Sequence, residues 1–200
     1  MPSKIQLSFE CSVRADRDRL HVSYEVRNGS GRDAGLFNHV GPVESGSPIS
    51  SPDNVYIDFE SGLLELLKQV LPIPGGMQVS SQPMPLVSKL PNGASLKEQF
   101  SVGLPAKANN PMRQMVLTAA HRGSIIMADD PTEAFEVNVC IGAFAVEPGM
   151  RFIETPAGPS IFRIWPPGPA VDGQVLLSKT IRLPHAVRVL AFTARKPQEH

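Results

Sequence analysis

Residues 20–35 read LHVSYEVRNGSGRDAG, and the reading of this stretch decides the fold. Gly29-Ser30-Gly31-Arg32-Asp33-Ala34 matches G-x-G-x-x-G/A after an apparent strand. Asp53 follows at about the distance, some 20 residues, at which an acid would hold the ribose in a dinucleotide-binding fold. That fold needs a strand buried on both faces before the loop. It also needs a helix after it, whose N-terminus presents amides to the pyrophosphate. Neither is present in the pattern. Leu20, Val22, Tyr24 and Val26 alternate with His21, Ser23, Glu25 and Arg27, so the strand has one wet face. The following AGLFNHVGP is interrupted by Gly35, Gly41 and Pro42, too short and too broken for a crossover helix. Asn28-Gly29 is then a turn in which glycine supplies positive φ, and the chain is predicted to be β rather than α/β.

Working outward, Ile5, Leu7, Phe9, Cys11 and Val13 alternate with Lys4, Gln6, Ser8, Glu10, Ser12 and Arg14. That makes a half-buried strand joined through the charged RADRDR (14–19) to an antiparallel neighbour. Residues 41–53, GPVESGSPISSPD, are a polar connection, and Val55 to Glu60 is a strand ended by Ser61-Gly62. LLELLKQVLP (63–72) is open between two states: Leu63, Leu66, Leu67 and Val70 have helical spacing, but the length also suits the return strand of a hairpin. Residues 72–91 carry five prolines and are expected to be extended and largely unpaired at an edge. Asn92-Gly93 turns into a strand with Ala94, Leu96, Phe100, Val102 and Leu104 on one parity, interrupted by Glu98. Asn110 as cap, Pro111 at the first position, Met112, Met115, Val116 and Ala119 on one face, and Gly123 as stop predict a helix over 111–122. Further strands run through Phe135, Val137, Val139, Ile141, Ala143 and Ala145, then Ile161–Trp165, Gln174–Leu183 and Ala186–Thr193.

Eight or nine strands separated by turn signals predict one all-β domain over 1–200, an antiparallel sandwich with one short helix and long Pro-rich loops. The pair LHVSYEVRNGSG and LPNGASLKEQFSVGLP resembles immunoglobulin-like β-sandwiches, in which a strand ends in a small polar turn and a Gly turn leads into an alternating strand. The resemblance implies the fold alone. The Cys–Trp–Cys core of antibody domains is not reproduced, since Trp165 lies after both cysteines.

Composition narrows the function classes. The 200 residues carry no net charge and have a pI near 7.0, so no global field draws the chain to nucleic acid or to an anionic membrane. No apolar run approaches membrane-spanning length, and the start MPSKIQLSFECSV has no signal-like apolar core, which makes the cytoplasm the expected location. The two cysteines are expected as free thiols, with Cys11 buried.

The five histidines form no sequence-local metal motif, Asp129-Asp130 reads as turn chemistry, and there is no G-x-S-x-G elbow. No catalytic, metal or cofactor residue is therefore assigned. The leading expectation is a non-enzymatic sandwich that contacts a protein partner, or itself, by a sheet edge or by the Pro-rich strap. In that strap Met77, Val79, Met84, Leu86 and Val87 would fill the partner's pockets. Two alternatives stand beside it: a hydrolase or metal-dependent enzyme built from loop residues such as His39, Asp53, His121 and Asp129, and a structural subunit of a larger assembly.

Overall fold

The computed structural model describes residues 5–41, 51–80, 82–121 and 125–194. In chain order the elements are β1 (Leu7–Ala15), β2 (Arg19–Asn28), β3 (Ala34–His39), β4 (Tyr56–Glu60), β5 (Leu63–Lys68), β6 (Leu86–Leu90), β7 (Ser95–Gly103), β8 (Ala106–Lys107), α1 (Pro111–Ala120), β9 (Ile125–Met127), β10 (Thr132–Ala145), β11 (Arg151–Glu154), β12 (Phe162–Trp165), α2 (Gly168–Asp172), β13 (Val175–Leu190) and β14 (Phe192–Ala194). The protein is all-β.

β1, β2 and β7 form an antiparallel sheet whose outer face carries the polar parity of all three strands. A second, larger sheet runs β11-β12-β6-β3-β10-β13-β8 with the β4–β5 hairpin attached. The principal core lies between the two sheets, with Leu20, Val22 and Val26 meeting Leu64, Leu66, Val137 and Val139. Two smaller clusters lie on the far side of the large sheet. One gathers Phe37, Val87, Phe144 and Ile164, and the other packs Leu67, Leu71 and Cys140 under Met112 of α1.

The wholly antiparallel, immunoglobulin-like arrangement is corrected by two parallel pairings, β5 with β10 and β8 with β13. The cause is the length of β10. One of its edges is shared end to end, Glu136–Ile141 pairing with β5 and Gly142–Ala145 with β3, while β13 takes the other. The sheet is therefore mixed.

The open segment 63–72 resolves as strand β5. Ser61 (φ 52°) and Gly62 (φ 85°) both adopt positive φ, the condition for a two-residue hairpin turn of matching twist, and this returns the chain onto β4. α1 begins as expected, with the Asn110 side chain accepting from the amides of Met112 and Arg113. The stop at Gly123 lies outside the described residues. The strap does not stay unpaired throughout: Leu86–Leu90 form β6, which sits between β12 and β3 instead of at an edge. The strand expected over Gln174–Leu183 and the first part of that expected over Ala186–Thr193 are one strand, β13, while Phe192 and Thr193 belong to β14, paired with β9. β13 is bulged where Leu183 to Ala186 face the gap between Ala134 and Glu136. Proline cannot donate to the ladder there.

The opening turn departs from the expected form: its positive φ falls at Gly31 (79°), not at Gly29, because Asn28 and Gly29 still continue β2 against β1. The amide of Gly29 donates to Gln6 O, that of Ser30 to Asn28 Oδ1 and that of Gly31 to Asn92 Oδ1, so these three amides are engaged within the chain. A strand, β3, follows the turn instead of a helix.

Candidate functional site

Three places gather polar or exposed side chains in ways a plain sandwich does not require. The first is internal. Glu98 holds the inward parity of β7 between Leu96 and Phe100, directly opposite Tyr24, which is itself opposite Cys11. From the facing sheet, Lys68 continues the inward parity of Leu64 and Leu66. Its Nζ lies 2.9 Å from Glu98 Oε1, donates to Pro52 O at 2.8 Å and stands 4.6 Å from the centre of the Phe100 ring. The Tyr24 hydroxyl and Asn38 Nδ2 both donate to Glu98 Oε2, and Asn38 Oδ1 accepts from the amide of Ser88.

His39 joins this group because a bulge between Leu36 and His39 adds a residue to β3 opposite β6 and re-aims the side chain. Its Nε2 lies 3.0 Å from Ser88 Oγ, while its buried Nδ1 has no partner among the described residues.

Burial dominates the electrostatics here. It pushes the Lys68 ammonium down against the opposing pull of Glu98, and it raises the Tyr24 hydroxyl, which the charge of Glu98 raises further. Burial also lowers the His39 imidazole. Lys68 is 0% exposed, and its ammonium donates to Glu98 and to the carbonyl of Pro52. What the arrangement does is tie the two sheets and the loop at Pro52 together.

The second place is a groove of about 460 Å³ between α1 and the outer face of β5, β10 and β13, floored by Leu67, Leu71 and Cys140 and walled by Met112 and Val116. The Cys140 thiol, held at 3.0 Å from Gln69 Oε1, is pushed up to about 12 by burial, and that of Cys11 to about 11. Neither is a thiolate nucleophile at neutral pH.

The third place is the outermost ribbon, β11 with β12. Trp165 is 59% exposed and Ile153 is 47% exposed. They share one face with Arg151, opposite Trp165, and Arg163, opposite Ile153. No strand pairs with the far edge of β11 among the described residues.

The residues singled out from sequence disperse. Val87 is fully buried in the chain's own second cluster, where Met84 also packs, and Val79 packs on the third. Met77 and Leu86 are half-buried. Of the four loop residues of the enzyme alternative, His39 lies at the internal cluster, and Asp53 lies beside it, accepting from the amide of Ser101 at 2.7 Å. His121 ends α1 and Asp129 sits in the turn before β10, both exposed and apart from the cluster. Among the described residues no three His, Cys, Asp or Glu side chains gather as a metal site, and no helix is long and apolar enough to cross a membrane.

Lys68 was hidden by the undecided state of its segment. The one signal for the internal cluster was Glu98 interrupting an apolar parity. Trp165 and Ile153 gave none, since their exposure follows from which strand is outermost. Comparison of the chain with protein-family models, curated proteins and solved structures finds no match in any of the three.

Proposed function

We propose that the protein is a non-enzymatic β module that binds another protein through the edge of its large sheet, at β11 and β12. The observation that carries this reading is the pairing of exposed Trp165 and Ile153 with Arg151 and Arg163 on one face of an unpaired edge. Sheet edges present free backbone donors and acceptors that an extended segment can complete, and natural proteins protect them unless they are used. Tryptophan and arginine are the side chains that most often dominate such contacts. Two arginines flanking the apolar pair favour a partner segment with acidic residues.

A Trp165→Ser/Ile153→Ser variant tests it. These side chains are exposed, so melting should change by no more than about 0.5 kcal/mol. Affinity capture from cell extract should retain a partner on the wild-type chain and lose it on the variant, and added salt should weaken retention. The same proteins held equally by both chains would defeat the proposal.

A further inference from the structure

The groove under α1 has an acidic lip that no cation among the described residues neutralises. Asp58 on β4 and Glu65 on β5 stand directly opposite each other in the antiparallel register, on the outer face of the sheet. Like charges in that position destabilise a sheet. Both carboxylates are oriented by neutral donors: Asp58 accepts from the amide of Phe59 at 2.8 Å and from Asn110 Nδ2 at 3.0 Å, and Glu65 from Asn138 Nδ2 at 3.3 Å. Neither has a cationic partner among the described residues. Arg113, the cation lining the groove, is engaged by Glu60 at 2.9 Å.

Beyond this lip the groove is mainly apolar, with Leu67, Leu71, Cys140, Met112, Val116 and the half-exposed Leu176 around it. Its volume of about 460 Å³ falls within the range of small-molecule sites, roughly 300–1,000 Å³.

We propose that this groove binds a small organic cation with an apolar body, an alkyl- or arylalkylammonium, its head at Asp58 and Glu65 and its body along Val116 of α1 and the exposed Leu176. The charge complementarity is specific. A neutral body of the same shape would leave the two carboxylates facing each other, and a bare cation would leave the exposed Leu176 uncovered.

The full chain is titrated with hexylammonium chloride, with hexan-1-ol and with methylammonium chloride, following the melting temperature and the heat of binding. Hexylammonium should give a saturable rise in melting temperature that neither control gives at equal concentration. Asp58→Asn/Glu65→Gln should weaken its binding about tenfold or more, equivalent to about 1.4 kcal/mol. In the absence of ligand, Glu65→Gln should melt at or above the wild-type temperature, since it relieves the like-charge pair and keeps the acceptor for Asn138. An equal response to hexan-1-ol, or undiminished binding by the double variant, would overturn the proposal. So would a matching shift from calcium chloride alone, or a lower melting temperature for Glu65→Gln. Tighter binding of an apolar hexapeptide carrying one lysine would assign the groove to a protein instead and also overturn it.

Discussion

A single carboxylate, Glu98, takes three partners from three other strands, Tyr24 from β2, Asn38 from β3 and Lys68 from β5, and Lys68 donates in turn to the carbonyl of Pro52. Taking the Lys68 ammonium and the Glu98 carboxylate out of water costs several kcal/mol each, offset only where geometry and further hydrogen bonds are complete, as they are here. Removing one partner strands the other charge. Lys68→Met should therefore cost about 3–5 kcal/mol in urea unfolding, and Lys68→Met/Glu98→Gln should recover part of that loss, because the leftover charge is gone. A loss in the double variant equal to the sum of the losses in Lys68→Met and Glu98→Gln alone would show that the pair is not coupled. Glu98 was visible in the sequence as a break in alternation; the identity of its partner was not, because no local pattern says which strand faces which.

At the scale of elements, β3 and β10 show what alternation reports and what it misses. Residues 34–38 are all buried, Leu36 toward the principal core and Phe37 toward the second cluster, so β3 has no polar phase to read. The sequence offered only a broken AGLFNHVGP where one of the inner strands runs. In β10 the alternation from Phe135 is real from Val137 onward. The irregularity between Ala134 and Glu136, however, places Ala134 inside and leaves Phe135 51% exposed. The two strands lock through Gly35, paired with Phe144: a Cβ at Gly35 would fall inside the contact distance of the Phe144 ring, which also packs against Phe37 at 4.9 Å between centres. Gly35→Ala should thus destabilise by overpacking, about 1–3 kcal/mol, and Phe144→Val should make the same alanine nearly neutral. Urea unfolding of the four chains of that cycle decides it. An additive cycle would mean that the ring does not lie over the glycine.

The whole molecule reports on His39, because the β3–β6 pairing that carries it lies within the large sheet and cannot open without loss of the core. Burial holds the folded imidazole below its ordinary value, with Glu98 opposing and Lys68 adding to the effect. The unfolded chain therefore takes up a proton, near pH 6.5, where the folded chain does not. The contribution of a neutral His39 is complete above that value, declines as pH falls through it, and levels off below the folded value. His39→Gln lacks the titration and can still reach Ser88. The stability difference between wild type and variant, measured by urea unfolding from pH 8 to 5, should be constant at the top of this range and shift against the wild type at the bottom. A difference flat throughout would sink the argument.

Alternation in β1, β2 and β7, the turn at Asn92-Gly93 and the Asn110-Pro111 helix start were determined by the sequence itself. Each rests on interactions between residues a few positions apart or on one wet face repeated at period two. The state of residues 63–68, the parallel pairing with β10, the meeting of Lys68 with Glu98, the opposition of Asp58 and Glu65 and the exposure of Trp165 were decided only in the tertiary structure. Those features depend on which strands become neighbours. That choice is made by the joint burial of apolar faces far apart in the chain, a quantity no short window of sequence contains.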